Sequence, residues 1–213
     1  PKVSGHLVMA AIIIDRLDAP RGVGRIDISG ADVKVAGVTV ENVKASEGLA
    51  EFDVTLPFLP FFIPEKTSEV QELLPNLRPL NEFTLKVSGL DPNQKYSLVS
   101  EGKAGSSVFT GAELAEGVDV SMAAGAPWAE QARKVWDLAR ERNKICSEIW
   151  HALWEGEKPA KFQPFISRMS DESRAKLKEV SDKVAAAARV TTFHVALAKS
   201  AVGADKRMKS DAK

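Results

Sequence analysis

Residues 24–40 read GRIDISGADVKVAGVTV, with apolar side chains on alternate positions. Ile26 and Ile28 alternate with charged or polar neighbours, and Val33 and Val35, then Val38 and Val40, repeat the pattern. Successive side chains of a strand point to opposite faces, so this spacing predicts strands with one buried face. Ala36-Gly37, between the two valine pairs, reads as a tight hairpin turn.

The period of two continues on the C-terminal side. Phe52, Val54 and Leu56 form one alternating set, and Phe83, Leu85 and Val87 another. Gly89 to Lys95 separates the latter from Tyr96 and Leu98. Pro92-Asn93 suits a turn there, because proline presets φ and asparagine tolerates turn geometry. The pattern predicts a mainly antiparallel sheet or small sandwich over residues 24–121. Glu65 to Leu74 reads as a short helix that Pro75 ends.

Both flanks are helical in pattern, which makes the chain α+β. Residues 5–17, GHLVMAAIIIDRL, are apolar around most of a helical circumference, with Ser4 as a candidate N-cap. Such a helix wants cover on most sides. Asp18 to Gly22 breaks it. After Gly125-Ala126, Pro127 fits a first helical position. Trp128, Ala132, Val135, Trp136, Ala139, Cys146, Ile149, Trp150 and Leu153 then recur mostly at three or four residues, ending near Gly156. Lys158 to Pro164 is the expected connector. Ser170 caps a second helix reaching about Arg189, with an acidic first turn. Together the two predict an αα-hairpin in which Trp136 and Trp150 are largely buried. Val190 to Leu197 fits either a last strand or a continuation of the helix, and Ala204 to Lys213 a frayed tail.

Composition narrows the function classes. The 213 residues are 44% hydrophobic and 27% charged with zero formal net charge, which excludes a disordered tail. Neutrality supplies no general electrostatic reason to bind nucleic acid or anionic lipid. The most apolar run, Val54 to Ile63, is interrupted by Pro57 and Pro60. It is far short of the ~20 residues a membrane helix needs. The single cysteine, Cys146, cannot form an intrachain disulfide and reads as a small helix-packing hydrophobe. No signal-peptide pattern opens the chain, which starts at Pro1 rather than methionine.

Residues that could carry chemistry are few. The histidines are His6, His151 and His194, without H-E-x-x-H or C-x-x-C spacing, a G-x-S-x-G elbow or a glycine-rich phosphate loop. His151 reads as a partly exposed helix residue and His194 as a satisfied structural histidine. Trp128, Trp136, Trp150 and Trp154 share one helix, where an aromatic stripe signals packing before it signals a ligand platform.

The first block, Pro1-Lys-Val-Ser-Gly5-His6 leading into an apolar helix, resembles the last conserved block of GDSL/SGNH hydrolases. In that block an Asp-x-x-His is followed by Pro, three variable residues, Gly and His. Further similarity lies in Val87–Leu90, Tyr96–Leu98, Phe109–Val118, Pro127-Trp128 and Gln131–Trp136, which resemble a C-terminal appendage of one branch of these enzymes. The resemblance implies a serine esterase whose catalytic histidine immediately precedes Pro1 and whose aspartate lies three residues further back. It also implies that His6 is not the base, that nucleophile and oxyanion donors lie upstream, and that no metal or cofactor is used. No catalytic, cofactor-binding or metal-binding residue is then expected within this chain. The ester substrate would be met through the upstream core, and this segment alone would be inactive. The implied organisation is residues 1–22 as the last helix of the hydrolase core, 23–125 as a β-rich appendage, 126–203 as a helical hairpin and 204–213 as a tail. The competing reading is a non-enzymatic β-sandwich binding module for carbohydrate or protein, with the helices as a clamp; a third is an assembly adaptor built on the helical hairpin.

Overall fold

The computed structural model describes residues 3–18, 20–46, 49–64, 77–156 and 169–200. The expected helix over 65–74, the connector over 158–164 and the tail over 204–213 lie outside them. The described elements are α1 (Val3–Arg16), β1 (Gly24–Ser29), β2 (Asp32–Ala36), β3 (Thr39–Ser46), β4 (Leu49–Thr55), α2 (Leu77–Asn81) and β5 (Phe83–Ser88). They continue with β6 (Lys95–Ser100), β7 (Lys103–Thr110), α3 (Gly111–Glu116), β8 (Val118–Asp119), α4 (Pro127–Gly156), α5 (Asp171–Ala187) and β9 (Thr192–Lys199). The fold is α+β, with an N-terminal helix, a β-rich middle and a late helical pair.

Two compact units divide the chain, one of residues 1–130 with 190–213 and the other of residues 131–189. In the first, the strands form a four-stranded sheet in the order β2-β1-β5-β8 and a five-stranded sheet in the order β3-β4-β9-β6-β7. Most of the alternating apolar residues are buried; on β2 the expectation fails, with Val33 half-buried and Val35 45% exposed. Ile26 and Ile28, Phe52 and Val54, Leu85 and Val87, and Tyr96 and Leu98 join one buried cluster drawn from both sheets. The two sheets thus pack as a small sandwich. Among the described residues every strand pairing but one is antiparallel; β1 and β5 run parallel, Ile26 opposite Leu85. A parallel neighbour needs a long connection, and the chain supplies it by passing through the other sheet in between.

That passage corrects the expected hairpin at Ala36-Gly37. Strand β2 pairs with β1 and β3 with β4, so Ala36-Gly37 is a corner where the chain changes sheets. Gly37 has φ 75°, and a Cβ there would press on the Val23 carbonyl and the Gly24 Cα, each at 3.2 Å, so the corner requires glycine. The β1–β2 hairpin instead turns at the two-residue loop Gly30-Ala31, between the paired Ser29 and Asp32. At the other turn the expectation holds: Asn93 N–H donates to the Asp91 side chain at 3.0 Å and Gln94 N–H to the Asp91 carbonyl at 3.1 Å. Short helix α3 opens on a capping box, with Thr110 and Glu113 satisfying each other's backbone N–H groups.

Helix α1 includes Ser4 rather than starting after it. Its Ala11 is buried, but its Met9, Ile12 and Ile13 are 47%, 52% and 57% exposed, and Leu17 just past its end is 75% exposed. Cover on most sides, as the composition of the helix wants, is absent among the described residues.

In the second unit, α4 and α5 keep the predicted limits, and Ser170 caps α5 by accepting from Ser173 N–H. The Gln131 side chain donates to the carbonyls of Ala187 and Arg189 at 2.8 and 2.7 Å, which ties the unit's two ends together. The hairpin stops there instead of running to 203, because residues 192–199 form β9 in the middle of the five-stranded sheet. Trp150 is 49% exposed, contrary to its expected burial. Trp136 is half-buried, with the Arg140 guanidinium 4.6 Å from its ring centre. Spacing identifies which side of a helix is apolar; it does not say how far along the helix the cover extends. Cys146 is half-buried. No described helix is long and apolar enough to cross a membrane.

Candidate functional site

A group of interacting titratable side chains lies on the outward face of the five-stranded sheet. In β4 the alternation buries Ala50, Phe52 and Val54 and turns Glu51, Asp53 and Thr55 outward. In β9 it buries Phe193, Val195 and Leu197 and turns Thr192 and His194 outward. Antiparallel pairing sets Asp53 directly opposite His194 and Thr55 opposite Thr192. Directly opposed strand residues have side chains close enough to bond, and the two threonine hydroxyls do so at 2.8 Å.

His194 Nδ1 lies 2.6 Å from Asp53 Oδ1, and its Nε2 lies 3.1 Å from Glu51 Oε1. The second Asp53 oxygen accepts from Asn42 Nδ2 at 2.6 Å. Asn42 reaches it from an irregularity in β3, where the register slips between Glu41 and Lys44 and Asn42 takes φ 54°. A bulge re-aims side chains, and asparagine tolerates the left-handed region. Lys44 Nζ stands 4.0 Å from the same Glu51 oxygen that faces His194.

The electrostatics follow from the contacts. Hydrogen bonds from Asn42 and then His194 hold the Asp53 carboxyl below its usual range. The hydrogen bond to Asp53, aided by the charges of Asp53 and Glu51, raises the His194 imidazole above its ordinary value. An ionised carboxylate can only accept, so Nδ1 donates to Asp53, and with Nε2 3.1 Å from the Glu51 carboxylate the species that fits is the imidazolium.

This arrangement is a bridge between strands and lacks the layout of a nucleophile–base pair. A general base needs its free nitrogen on the proton it removes, whereas Nε2 faces Glu51. Ser100 Oγ, 3.3 Å away, donates to the His194 backbone carbonyl and not to the ring. The two carboxylates sit on opposite ring nitrogens, so the three groups do not converge on one point. No group of three His, Cys, Asp or Glu positioned for a metal occurs among the described residues.

His194, which the sequence context places in a structural role, has a carboxylate beside each ring nitrogen. Its partners Asn42, Glu51 and Asp53 were not singled out in the sequence; the alternation of residues 49–55 placed the carboxylates outward, but nothing local paired them with β9. His6 is exposed on α1 and His151 is exposed on α4. Trp128 is a core residue. It is 1% exposed, and its Nε1 donates to the Val120 carbonyl at 2.8 Å. Its ring meets Phe83 and Phe193 edge-on, with centroids 5.0 and 6.1 Å away.

No protein-family model matches the chain, and no curated protein sequence matches it either. Among solved structures it is similar to one described as a gut microbial diltiazem-metabolizing enzyme, with a TM-score of 0.73 and 19% identity over 92% of this chain. The chain spans 54% of the length of that protein. At this identity the likeness is one of fold.

Proposed function

We propose that the chain is the C-terminal part of an SGNH/GDSL-type serine hydrolase acting on ester bonds, with the described residues forming an appendage to the catalytic core. The observation that carries this reading is the block Pro1-x-x-x-Gly5-His6 at the start of α1, with Met9, Ile12 and Ile13 of that helix and Leu17 just past its end lacking cover. An apolar helix face of this kind is what an element of a larger core looks like when its neighbours are missing. The fold likeness to a longer enzyme supports it, and the molecule named in that enzyme's description contains an ester.

In this reading an upstream serine attacks the ester carbonyl, and the histidine preceding Pro1, oriented by its aspartate, takes and returns the proton. Upstream donors stabilise the oxyanion. His194 takes no part, because both its nitrogens are occupied by carboxylates. The test is hydrolysis of a small activated ester by this segment, by the protein including the upstream sequence, and by a version with the histidine before Pro1 replaced. Turnover only by the intact longer protein is expected. Turnover by the segment alone, lost on His6→Ala, overturns the reading and makes His6 the base.

A further inference from the structure

Strand β9 enters the five-stranded sheet between β4 and β6 after the chain has traversed the whole 131–189 unit. Burial of Phe193, Val195 and Leu197 holds it from within. From outside, two side-chain links tie it to β4: the Thr192 hydroxyl on that of Thr55, and the charged link at His194, whose ring spans Asp53 and Glu51. We propose that His194 is a proton-operated pin between β9 and β4: protonated, it bridges both carboxylates; neutral, it keeps Asp53 and releases Glu51 to Lys44.

The donor count carries the argument. A neutral imidazole has one N–H and one lone pair, so one of the two carboxylates must then face the lone pair and be repelled. Asp53 is the partner retained, since it is nearer (2.6 against 3.1 Å) and is held in place by Asn42. Glu51 has an alternative cation in Lys44, 4.0 Å from the same oxygen. The released proton goes to solvent, because the His194 side chain is 60% exposed. The groups facing the ring are thus Asp53 and Glu51 from β4, with Asn42 and Lys44 behind them on β3. From β6 the Ser100 hydroxyl, which does not titrate, bonds the His194 carbonyl.

The sign follows from the two shifts. His194 is raised above 6.5, so the bridge is fully made below 6.5 and is lost as pH rises through the raised value. Asp53 is depressed below 3.8, so its side is complete above 3.8 and fails only as pH falls through the depressed value. The pin is therefore strongest in mildly acidic solution and loosens on the alkaline side.

Imidazole nitrogen NMR and amide exchange on the full chain from pH 5 to 9 test this. Below the midpoint both ring nitrogens should be protonated, and above it the Nδ1–H tautomer should dominate, against the usual preference of free histidine. Protection of the amides of 192–196, corrected for intrinsic exchange, should fall about two- to fivefold across the midpoint, the range expected of an exposed ion pair. His194→Gln should remove that pH dependence, and Asp53→Asn should lower the imidazole midpoint. An Nε2–H tautomer at high pH, an Asp53→Asn midpoint unchanged from the parent, or equal pH dependence in His194→Gln overturns the proposal. The Asp53→Asn titration decides alone if His194→Gln does not fold.

Discussion

Replacing Trp128 is the sharpest probe of the sandwich core. Its indole is fully buried, meets Phe83 and Phe193 edge-on, and donates to the Val120 carbonyl at 2.8 Å. Removing a buried tryptophan side chain costs about 3–5 kcal/mol through lost transfer energy and the cavity left behind. The Val120 carbonyl, on a fully buried residue, also loses its donor, for about 1–3 kcal/mol more if no water replaces it. Trp128→Ala should therefore lose about 5 kcal/mol, comparable to the whole stability of many domains. Trp128→Phe keeps an aromatic ring against its neighbours but not the N–H, so its cost should be about 2 kcal/mol, within the range for an unpaired buried carbonyl. Urea unfolding followed by far-UV circular dichroism measures both without depending on the remaining tryptophans. A loss below about 1 kcal/mol for Trp128→Ala, against the cavity range, would refute the burial argument. Equal losses for the two variants would refute the division between packing and hydrogen bond.

Trp150→Ala should change stability by less than about 1 kcal/mol, since the side chain is 49% exposed, and the same urea titration checks it. Tyr96 is wholly buried and its hydroxyl has no hydrogen-bond partner among the described residues. Tyr96→Phe should therefore stabilise the protein by about 1 kcal/mol, read as a rise in melting temperature; a fall would reveal a partner for the hydroxyl. Asn42→Ala removes the largest influence holding Asp53 low, so the carboxyl titration of Asp53, followed by carbon NMR, should move to higher pH.

Much of the architecture is written in short-range spacing. Alternation assigned Ile26, Ile28, Phe52, Val54, Leu85 and Val87 to inward faces, because the strand period depends only on backbone geometry. Ser170 and Pro127 marked helix starts for an equally local reason, the unpaired N–H groups of a first turn. The bridge at His194 had no such signature. It joins residues 141 positions apart, and its fourth member, Asn42, enters through a bulge that alternation cannot anticipate.

Local chemistry thus decided which residues are strand, which are helix, and which side of each strand is buried. Long-range assembly decided that Ala36-Gly37 turns a corner between sheets, that β1 lies parallel to β5, and that β9 fills the gap between β4 and β6. It also decided that the tryptophan stripe is buried at Trp128 and open at Trp150. The physical reason is that side-chain direction is a property of neighbouring dihedral angles, whereas strand partners and the extent of cover are chosen by the burial of the whole chain.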